Sequence, residues 1–218
     1  MSMGKQHIIE KQKIKHIPTK RIFDFCFSLF IIILFAPLFL TIALFIRCTS
    51  KGRAIYSHER IGRGGRPFKC YKFRTMYQDA DAQIHEIFKK DPLLEQEWKE
   101  KRKLKQDPRV TPFGSFLRKT SLDELPQFWN VVKGDLSIVG PRPVISEEVE
   151  SCMGSKAEKI LSIRPGLTCL WQVSGRSDSS YSHRLALDEA YVDGRSFLLD
   201  LKLIIKTIPQ MIFPKGAY

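Results

Sequence analysis

The apolar segment FCFSLFIIILFAPLFLTIALFI, residues 25–46, decides how this chain is organised. It contains 22 residues and none of them is charged. At about 1.5 Å per residue, a helix of this length matches the roughly 30 Å core of a bilayer. The stretch is too long for a cleavable signal peptide, and no small-residue cleavage site follows it. Length and composition alone therefore predict a helix that spans a membrane.

Two features of the segment favour a helix that enters the membrane and turns back. Pro37 lies near the middle, where it removes a backbone hydrogen bond and disfavours helical geometry at Ala36. Each half is then about three turns long, too short to cross alone. Basic residues flank both ends, and the positive-inside rule is satisfied simply if both ends stay cytoplasmic. Proline-kinked spanning helices are also common, so periodicity leaves both topologies open.

The charge balance restricts the partners of the chain. Among 218 residues, 36 are Lys or Arg and 23 are Asp or Glu, which gives a formal net charge of +13. An excess of this size favours phosphates, acidic lipid head groups or nucleic acid, and does not choose among them. The five cysteines are scattered without a C-x-x-C pair, so neither a disulfide framework nor a zinc site is predicted.

The remaining segments predict a mixture of short strands and helices. Residues 54–77 indicate two strands around a glycine-rich turn at 62–65. Residues 79–105 indicate charged helices, with Pro92 beginning the second one. The apolar residues 196–213 are compatible with a membrane interface or with the core.

Two adjacent carboxylates stand out within SLDEL, residues 121–125. Ser121 and Glu124 have the spacing of a capping box, and Gly134 is a plausible end of the same helix. This account leaves Asp123 with little structural reason to be there. Neighbouring residues on a helix point about 100° apart, so different roles are predicted for Asp123 and Glu124.

Several arginines lie on turns in which proline restricts the backbone or glycine allows it a wider range of conformations. Arg142 lies between two prolines, Arg164 precedes Pro-Gly, and Arg176 follows a glycine. Such a set favours a pocket that clamps phosphate groups. The pair Asp79 and Asp81 also has the D-x-D spacing of metal-dependent glycosyltransferases, although two acids in the first turn of an exposed helix explain it equally well.

The chain resembles the bacterial sugar transferases, the monotopic polyprenyl-phosphate phosphoglycosyl transferases. The resemblance extends from about residue 20 to the C-terminus and rests on six motifs in order: KRIFDF (20–25), KFRTM (72–76), SLDELPQFWNVVKGD (121–135), SIVGPRP (137–143), RPGLT (164–168) and QVSGR (172–176). It implies an α/β fold of the helix-rich α+β kind, in its minimal catalytic form. The expected parts are a basic leader (1–21), a re-entrant membrane helix (22–46) and a membrane-associated cytoplasmic catalytic domain with a small sheet and interfacial helices (47–218). The family's break is typically Ser-Pro; here Ala36 and Pro37 stand at the membrane turn, so no serine hydroxyl supports it.

The resemblance also implies a reaction and its residues. Asp123 attacks the β-phosphate of a UDP-sugar, UMP leaves, and undecaprenyl phosphate takes the phosphosugar. Asp123 and Glu124 are the expected catalytic residues and the expected ligands of Mg²⁺. The expected substrate-binding residues are Lys72, Arg74, Arg118, Arg142, Arg164, Gln172 and Arg176.

The resemblance further places the chain at the cytoplasmic face of the bacterial inner membrane. It predicts contact with membrane lipids, no nucleic-acid partner, and a homodimer as one open state of assembly. The donor sugar is not determined by the sequence, although the charged segment 79–105 resembles members that use UDP-galactose or UDP-glucose. Two other readings stay open: a membrane-anchored basic module that binds acidic lipid or nucleic acid, and a glycosyltransferase that uses Asp79 and Asp81 and releases UDP.

Overall fold

The computed structural model describes residues 18–101, 104, 106–174 and 180–212. This part of the chain is helix-rich with two small two-stranded sheets, as predicted. Its strands are β1 (Ile55–Ile61), β2 (Pro67–Phe73), β3 (Ser137–Val139) and β4 (Gly166–Thr168). Its helices are α1 (Pro18–Leu34), α2 (Ala36–Thr49), α3 (Ala80–Lys90), α4 (Pro92–Lys101), α5 (Pro112–Lys119), α6 (Gln127–Lys133), α7 (Ser146–Glu148), α8 (Lys156–Ile160), α9 (Leu170–Val173), α10 (Tyr181–Gly194) and α11 (Phe197–Ile212).

The described residues divide into two compact units. The first unit comprises 18–35, 57–71 and the described residues from 126 onward; the second comprises 36–56 and the described residues of 72–125. The greater part of the predicted leader, residues 1–17, lies outside the described residues. The domain limits 1–21, 22–46 and 47–218 stay a prediction.

The apolar segment forms two helices, α1 and α2, separated at Phe35. No single helix among the described residues is long and apolar enough to cross a membrane. The bent pair, with an angle of 62°, passes the same test by length and composition alone. The predicted loss of helical geometry at Ala36 is wrong, because Ala36 and Pro37 form the start of α2. Proline is tolerated there, since the first N–H groups of a helix have no partner within it.

Charged side chains at the start of α1 bind this helix to α11 and β3 within the first unit. The Lys20 ammonium lies 2.6 Å from Asp200 Oδ2 at the start of α11. The Asp24 carboxylate accepts hydrogen bonds from the Ser137 hydroxyl at 2.7 Å and the Ile138 N–H at 3.2 Å, both in β3. The first motif of the resemblance, KRIFDF, therefore fixes α1 to β3 and α11.

Arg21 binds the other end of a neighbouring helix. Its guanidinium donates to the carbonyl oxygens of Val131 at 2.6 Å and Val132 at 2.8 Å, in the last turn of α6. A cation at a helix C-terminus satisfies carbonyl groups that have no partner within the helix. Lys20 and Arg21, which the sequence reading counted as part of a basic leader, are thus structural cations of α1.

The core of the first unit surrounds the parallel pair β3 and β4. Ser137 pairs with Gly166 and Val139 with Thr168. The largest cluster of buried apolar residues in this unit contains Val131, Leu136, Ile138, Val139, Tyr191 and Leu203. Helix α11 contributes Leu203 to this core while Leu198, Ile205 and Ile208 stay exposed, so its two faces differ.

Two glycines bring β3 and β4 into direct main-chain contact. A Cβ atom on Gly140 would lie 2.9 Å from the main-chain nitrogen of Gly166, and one on Gly166 would meet main-chain atoms of Gly140 and Val139. The motifs SIVGPRP and RPGLT therefore contact each other backbone to backbone at this point.

The second unit joins the end of β2 to α5. Thr111 caps α5 by accepting the Gly114 N–H at 2.9 Å, and Pro112 occupies the first turn. The Thr111 N–H donates to the Thr75 carbonyl oxygen at 3.0 Å. Gly114 packs so closely on the main chain of Thr75 that no side chain fits there.

The predicted hairpin at 54–77 and the helix that begins at Pro92 are confirmed. The predicted capping box is wrong. Ser121 has a left-handed backbone (φ 57°) and its side chain caps nothing. Residues Leu122–Glu124 instead form a 3₁₀ turn, and α6 begins three residues after Glu124. The predicted end of this helix is confirmed: Gly134 follows α6 with φ 92°.

Candidate active site

Asp123 lies on the 3₁₀ turn between α5 and α6, and 8% of its surface is exposed. The turn is short because Pro126 and the left-handed Ser121 interrupt regular helix on either side. Asp123 therefore belongs to neither helix and gains little from a helix dipole.

Lys72 lies directly beside both carboxylates. Its ammonium is 2.6 Å from Glu124 Oε1 and 3.9 Å from Asp123 Oδ2. Lys72 is next to the buried Phe73 in β2, so strand alternation places the lysine on the opposite face. The structure thus brings together three predicted site residues within the second unit.

The pKa of Asp123 is raised from 3.8 to about 6. Burial is the largest cause, because it disfavours the charged carboxylate. Lys72 and Arg118 lower this pKa, and the Glu124 carboxylate raises it. A proton on Asp123 is therefore exchangeable just below neutral pH, in the range in which acid–base and nucleophilic groups operate.

Arg118, at the end of α5, adds a second positive charge near Asp123. Its Nε donates to the Thr75 hydroxyl at 2.9 Å, which fixes the orientation of the guanidinium. Burial lowers the pKa of Arg118, whereas the charge of Asp123 raises it. Lys72 and Arg118 form the positively charged side of the site, and Thr75 orients the arginine.

Arg74 has a structural contact instead of an open guanidinium. Its Nη2 donates to the carbonyl oxygen and hydroxyl of Ser50, at 2.8 and 2.7 Å, directly after α2. The predicted role of Arg74 in substrate binding stays a prediction. What the structure adds is an anchor between β2 and the end of α2.

The D-x-D pair gains no support as a metal site. Asp79 is exposed just before α3 and its side chain caps nothing, and the side chain of Asp81 lies outside the described residues. Across the parts of the chain that the structure describes, no cluster of three or more His, Cys, Asp or Glu side chains could hold a metal ion.

The other predicted binding residues belong to the first unit. The Arg142 guanidinium lies 5.7 Å from the centre of the Trp171 ring, a cation–π distance. Arg164 Nε donates to the Gly134 carbonyl oxygen at 2.8 Å, so it closes the end of α6. Gln172 is buried in α9, and Arg176 lies outside the described residues.

Asp123 and Glu124 fit the ligand set that Mg²⁺ uses with phosphorylated substrates. Mg²⁺ commonly takes one or two protein carboxylates and completes its shell with water and substrate phosphates. The Lys72 ammonium already contacts Glu124, so a cation there would share the carboxylate with the lysine or displace it.

Sequence reasoning did not predict three features of this site. It treated Lys72 as a ligand of substrate phosphate and missed its contact with both acids. It also missed Thr75, which orients Arg118, and the left-handed Ser121 before the turn. The alternation Lys72–Phe73–Arg74 in KFRTM was a usable signal for the first of these, because it predicts one apolar and one basic face.

A buried carboxylate with a lysine ammonium 3.9 Å away and an arginine nearby is an arrangement suited to binding anionic groups. Comparison with known families makes this specific. The model of the family described as "Bacterial sugar transferase" matches residues 15–214, and the chain belongs to that family.

Curated relatives include proteins of similar length and longer ones. The "Exopolysaccharide production protein ExoY" of Sinorhizobium fredii is 48% identical over 92% of this chain and 88% of that protein. The "Undecaprenyl-phosphate galactose phosphotransferase" of Salmonella typhimurium is 44% identical over 91% of this chain, which corresponds to 41% of that longer protein. The "UDP-glucose:undecaprenyl-phosphate glucose-1-phosphate transferase" of Klebsiella pneumoniae is 37% identical, again over 91% of this chain and 41% of that protein.

Proposed function

We propose that this chain is a phosphoglycosyl transferase that moves a sugar phosphate onto a polyprenyl lipid carrier in exopolysaccharide or related polysaccharide synthesis. The family membership and the names of the relatives support this coarse assignment. The finer proposal is that sugar 1-phosphate passes from a UDP-sugar to undecaprenyl phosphate through a covalent intermediate on Asp123, and that UMP is released.

The observation that carries the finer proposal is the buried Asp123 next to Lys72 and Glu124. A carboxylate that attacks phosphorus has to be ionised and has to approach a negatively charged group. Lys72 and Arg118 favour the ionised form of Asp123, and they would offset the charge of the incoming diphosphate. Burial withholds water, so the carboxylate is poorly solvated and more reactive toward an electrophile.

In the first half-reaction a carboxylate oxygen of Asp123 bonds to the β-phosphorus of the donor. The bond from that phosphorus to the oxygen bridging to the α-phosphate breaks, and UMP leaves with the electron pair. In the second half-reaction an oxygen of undecaprenyl phosphate bonds to the same phosphorus. The Asp123 carboxylate is then released and the lipid carries the sugar on a diphosphate.

Glu124 has a different role from Asp123 in this proposal. Its ion pair with Lys72 at 2.6 Å holds the ammonium in reach of Asp123 and of a phosphate oxygen. Asp123 and Glu124 would hold Mg²⁺, which, when bound, supplies charge neutralisation for the diphosphate. Arg142 and Arg164 remain proposed contacts of substrate phosphate in the first unit.

The apolar surface of the helix pair supports a membrane location. Residues Ile22, Phe30, Ile33, Leu40 and Leu44 expose 59 to 72% of their surface. Large exposed apolar patches are uncommon on soluble monomers. The proposal therefore includes a re-entrant helix pair in the inner membrane, contact with membrane lipids and a catalytic region on the cytoplasmic face, with a homodimer as an open state of assembly.

The decisive experiment is a product assay with undecaprenyl phosphate, Mg²⁺ and a panel of UDP-sugars that includes UDP-galactose and UDP-glucose. Release of UMP together with a lipid diphosphate sugar is expected. Intact-mass measurement without the lipid should reveal a phosphosugar adduct on the wild-type chain and none on Asp123→Asn. Release of UDP would favour the glycosyltransferase reading with Asp79 and Asp81, and no nucleotide turnover would favour a basic binding module.

A further inference from the structure

We propose that Asn130 is a positioning residue of the transfer reaction, which holds the strand that carries Lys72 in register with the helix that follows Asp123 and Glu124. This inference rests on the proposed function, because it assigns Asn130 to the support of that site. Asn130 does not touch the carboxylates or the ammonium, so its action would be indirect.

The side chain of Asn130 is fully buried in α6 and uses both of its polar ends. Its carbonyl oxygen accepts the main-chain N–H of Tyr71 at 3.0 Å, and its amide nitrogen donates to the Lys69 carbonyl oxygen at 2.7 Å. The amide also donates to Asp135 Oδ2 at 3.0 Å. One side chain therefore makes two hydrogen bonds with the backbone of β2, in the manner of a neighbouring strand.

The two residues of β2 that Asn130 binds, Tyr71 and Lys69, lie one and three positions before Lys72. Asn130 binds the Tyr71 N–H and the Lys69 carbonyl oxygen, which are two residues apart. These two hydrogen bonds fix the register of β2 and determine which side chains lie on each of its faces. Tyr71 is covalently joined to Lys72, so the register at Tyr71 determines the starting point of the lysine side chain. The lysine has four rotatable bonds, and its ammonium reaches Glu124 at 2.6 Å only from a suitable starting point.

The main chain of Asn130 is also heavily engaged. Its carbonyl oxygen lies at hydrogen-bond distance from the N–H groups of Gly134, Asp135 and Leu136. The residue is thus fixed at the end of α6 by its backbone while its side chain binds β2. A hydrophobic residue of similar size could fill the space, but it would leave the Tyr71 N–H and the Lys69 carbonyl without this partner. The polar side chain is therefore best explained by the need to hold β2.

The test compares Asn130→Ala with Tyr191→Phe, a matched control. Tyr191 is also buried in the first unit, and its hydroxyl donates to Asp200 at 2.6 Å and lies 3.1 Å from the Val139 carbonyl oxygen, far along the chain from β2. Asn130→Ala should lower kcat by about 100-fold, the usual cost of displacing a catalytic group by about 1 Å, with little change in KM. Tyr191→Phe should lower the melting temperature without a comparable change in kcat.

A double-mutant cycle separates positioning from general destabilisation. In a Lys72→Met background, Asn130→Ala should cause little further loss of kcat, because the group that it positions is gone. Tyr191→Phe should have the same effect in both backgrounds. A full additional 100-fold loss from Asn130→Ala in the Lys72→Met background would overturn the proposal.

A second readout needs no turnover and covers the case of an inactive Lys72→Met protein. The acetylation rate of Lys72 by an amine reagent is measured by mass spectrometry, relative to Lys159, which pairs with Asp193 at 2.8 Å on the surface. Asn130→Ala should raise this ratio several-fold. Where Asn130→Ala does not fold, Asn130→Asp keeps an acceptor for Tyr71, loses the donor to Lys69, and should change the ratio in the same direction. An unchanged ratio of Lys72 to Lys159 acetylation in a folded variant would overturn the inference. A raised ratio, together with a wild-type chain that shows no transferase activity, would support the positioning role of Asn130 and contradict the proposed function.

Discussion

Asp123 combines burial with a requirement for charge, and the two conflict. Its surroundings raise its pKa to about 6, so the folded chain binds a proton on Asp123 more tightly than the unfolded chain does. At neutral pH the carboxylate is ionised at a cost to folding. Buried ionisable residues whose charged form destabilises the fold are typical of sites whose chemistry requires a poorly solvated charge.

We expect Asp123→Asn to abolish transfer and to stabilise the fold at pH 7.5. The amide has the same shape and carries no charge to desolvate, so the gain is at most about 3 kcal/mol for a shift of about two pKa units. Thermal unfolding and UMP release measure the two effects. A variant that keeps near-normal UMP release would exclude Asp123 as the nucleophile.

Glu124→Gln should reduce kcat strongly with less than about 1 kcal/mol of change in stability. The glutamate caps no helix, and its ion pair with Lys72 is about one-third exposed, where such pairs contribute little. Denaturant unfolding and steady-state kinetics give the two numbers. A loss of several kcal/mol with normal kcat would make Glu124 a structural residue.

At the residue scale, the sequence singled out candidate residues but did not predict their contacts. The acid pair stood out because a basic chain has little structural use for Asp123. The contact of Lys72 with Glu124 joins two segments 52 positions apart. The alternation in KFRTM indicates the face of the strand on which Lys72 lies, but not the segment that it meets. The φ of 57° at Ser121 is likewise a tertiary outcome, because serine has no preference for the left-handed region.

At the scale of elements, the turn before Asp123 is held in an unfavourable backbone conformation. Ser121 is the one described non-glycine residue with positive φ, and its hydroxyl makes no cap. The strain has to be offset by the packing of α5 and of the 3₁₀ turn around it.

Ser121→Gly should therefore stabilise the protein by about 1 kcal/mol, since glycine adopts positive φ without steric cost. Ser121→Ala should change stability by little, because no capping bond is lost. Paired thermal and urea unfolding curves report both values. A loss of about 1 kcal/mol in Ser121→Ala would restore the capping-box interpretation.

The helix pair is the second element whose form has a testable consequence. Its break at Phe35 agrees with the predicted break to within two residues, because proline limits where α2 can start. Sequence could not choose between a kinked span and a re-entrant pair, since both bury the same apolar residues in lipid.

We expect both ends of the chain to be protected from an impermeant thiol reagent added to intact cells. Glu10→Cys and Lys215→Cys are placed singly in a background without the five native cysteines, and labelling is compared before and after the cells are opened. A re-entrant pair leaves both reporters on the cytoplasmic side. Periplasmic labelling of the first reporter alone would mean that the segment spans the membrane.

At the scale of the whole molecule, a basic chain buries carboxylates inside. Asp188 resembles Asp123 in this respect: it is 1% exposed, and burial raises its pKa to about 6 despite Arg184, whose Nε lies 3.8 Å away. A net charge of +13 describes the surface that partners meet and says little about these interior acids.

The stability of the protein should fall as the pH rises from about 5 to 7. Asp123 and Asp188 have folded pKa values of about 6, above the unfolded value of 3.8, so protonation stabilises the fold. This contribution is complete below the unfolded pKa and is lost as pH rises through the folded pKa. Melting temperatures across this range should decline for the wild type and decline less for Asp123→Asn. A rising curve for the wild type would contradict both assignments.

The close main-chain approach of Gly140 to Gly166 limits which substitutions this protein can accept. A side chain at either position meets main-chain atoms of the other strand, and main-chain atoms are the same whatever residue is present. A core clash between two side chains can be relieved by trimming the partner, but a clash with backbone has no such remedy. Replacement of either glycine therefore cannot be compensated by a second substitution at the other position. Stepwise single substitutions at these two positions are therefore not tolerated. A side chain could be accommodated here only if the backbones of β3 and β4 changed together.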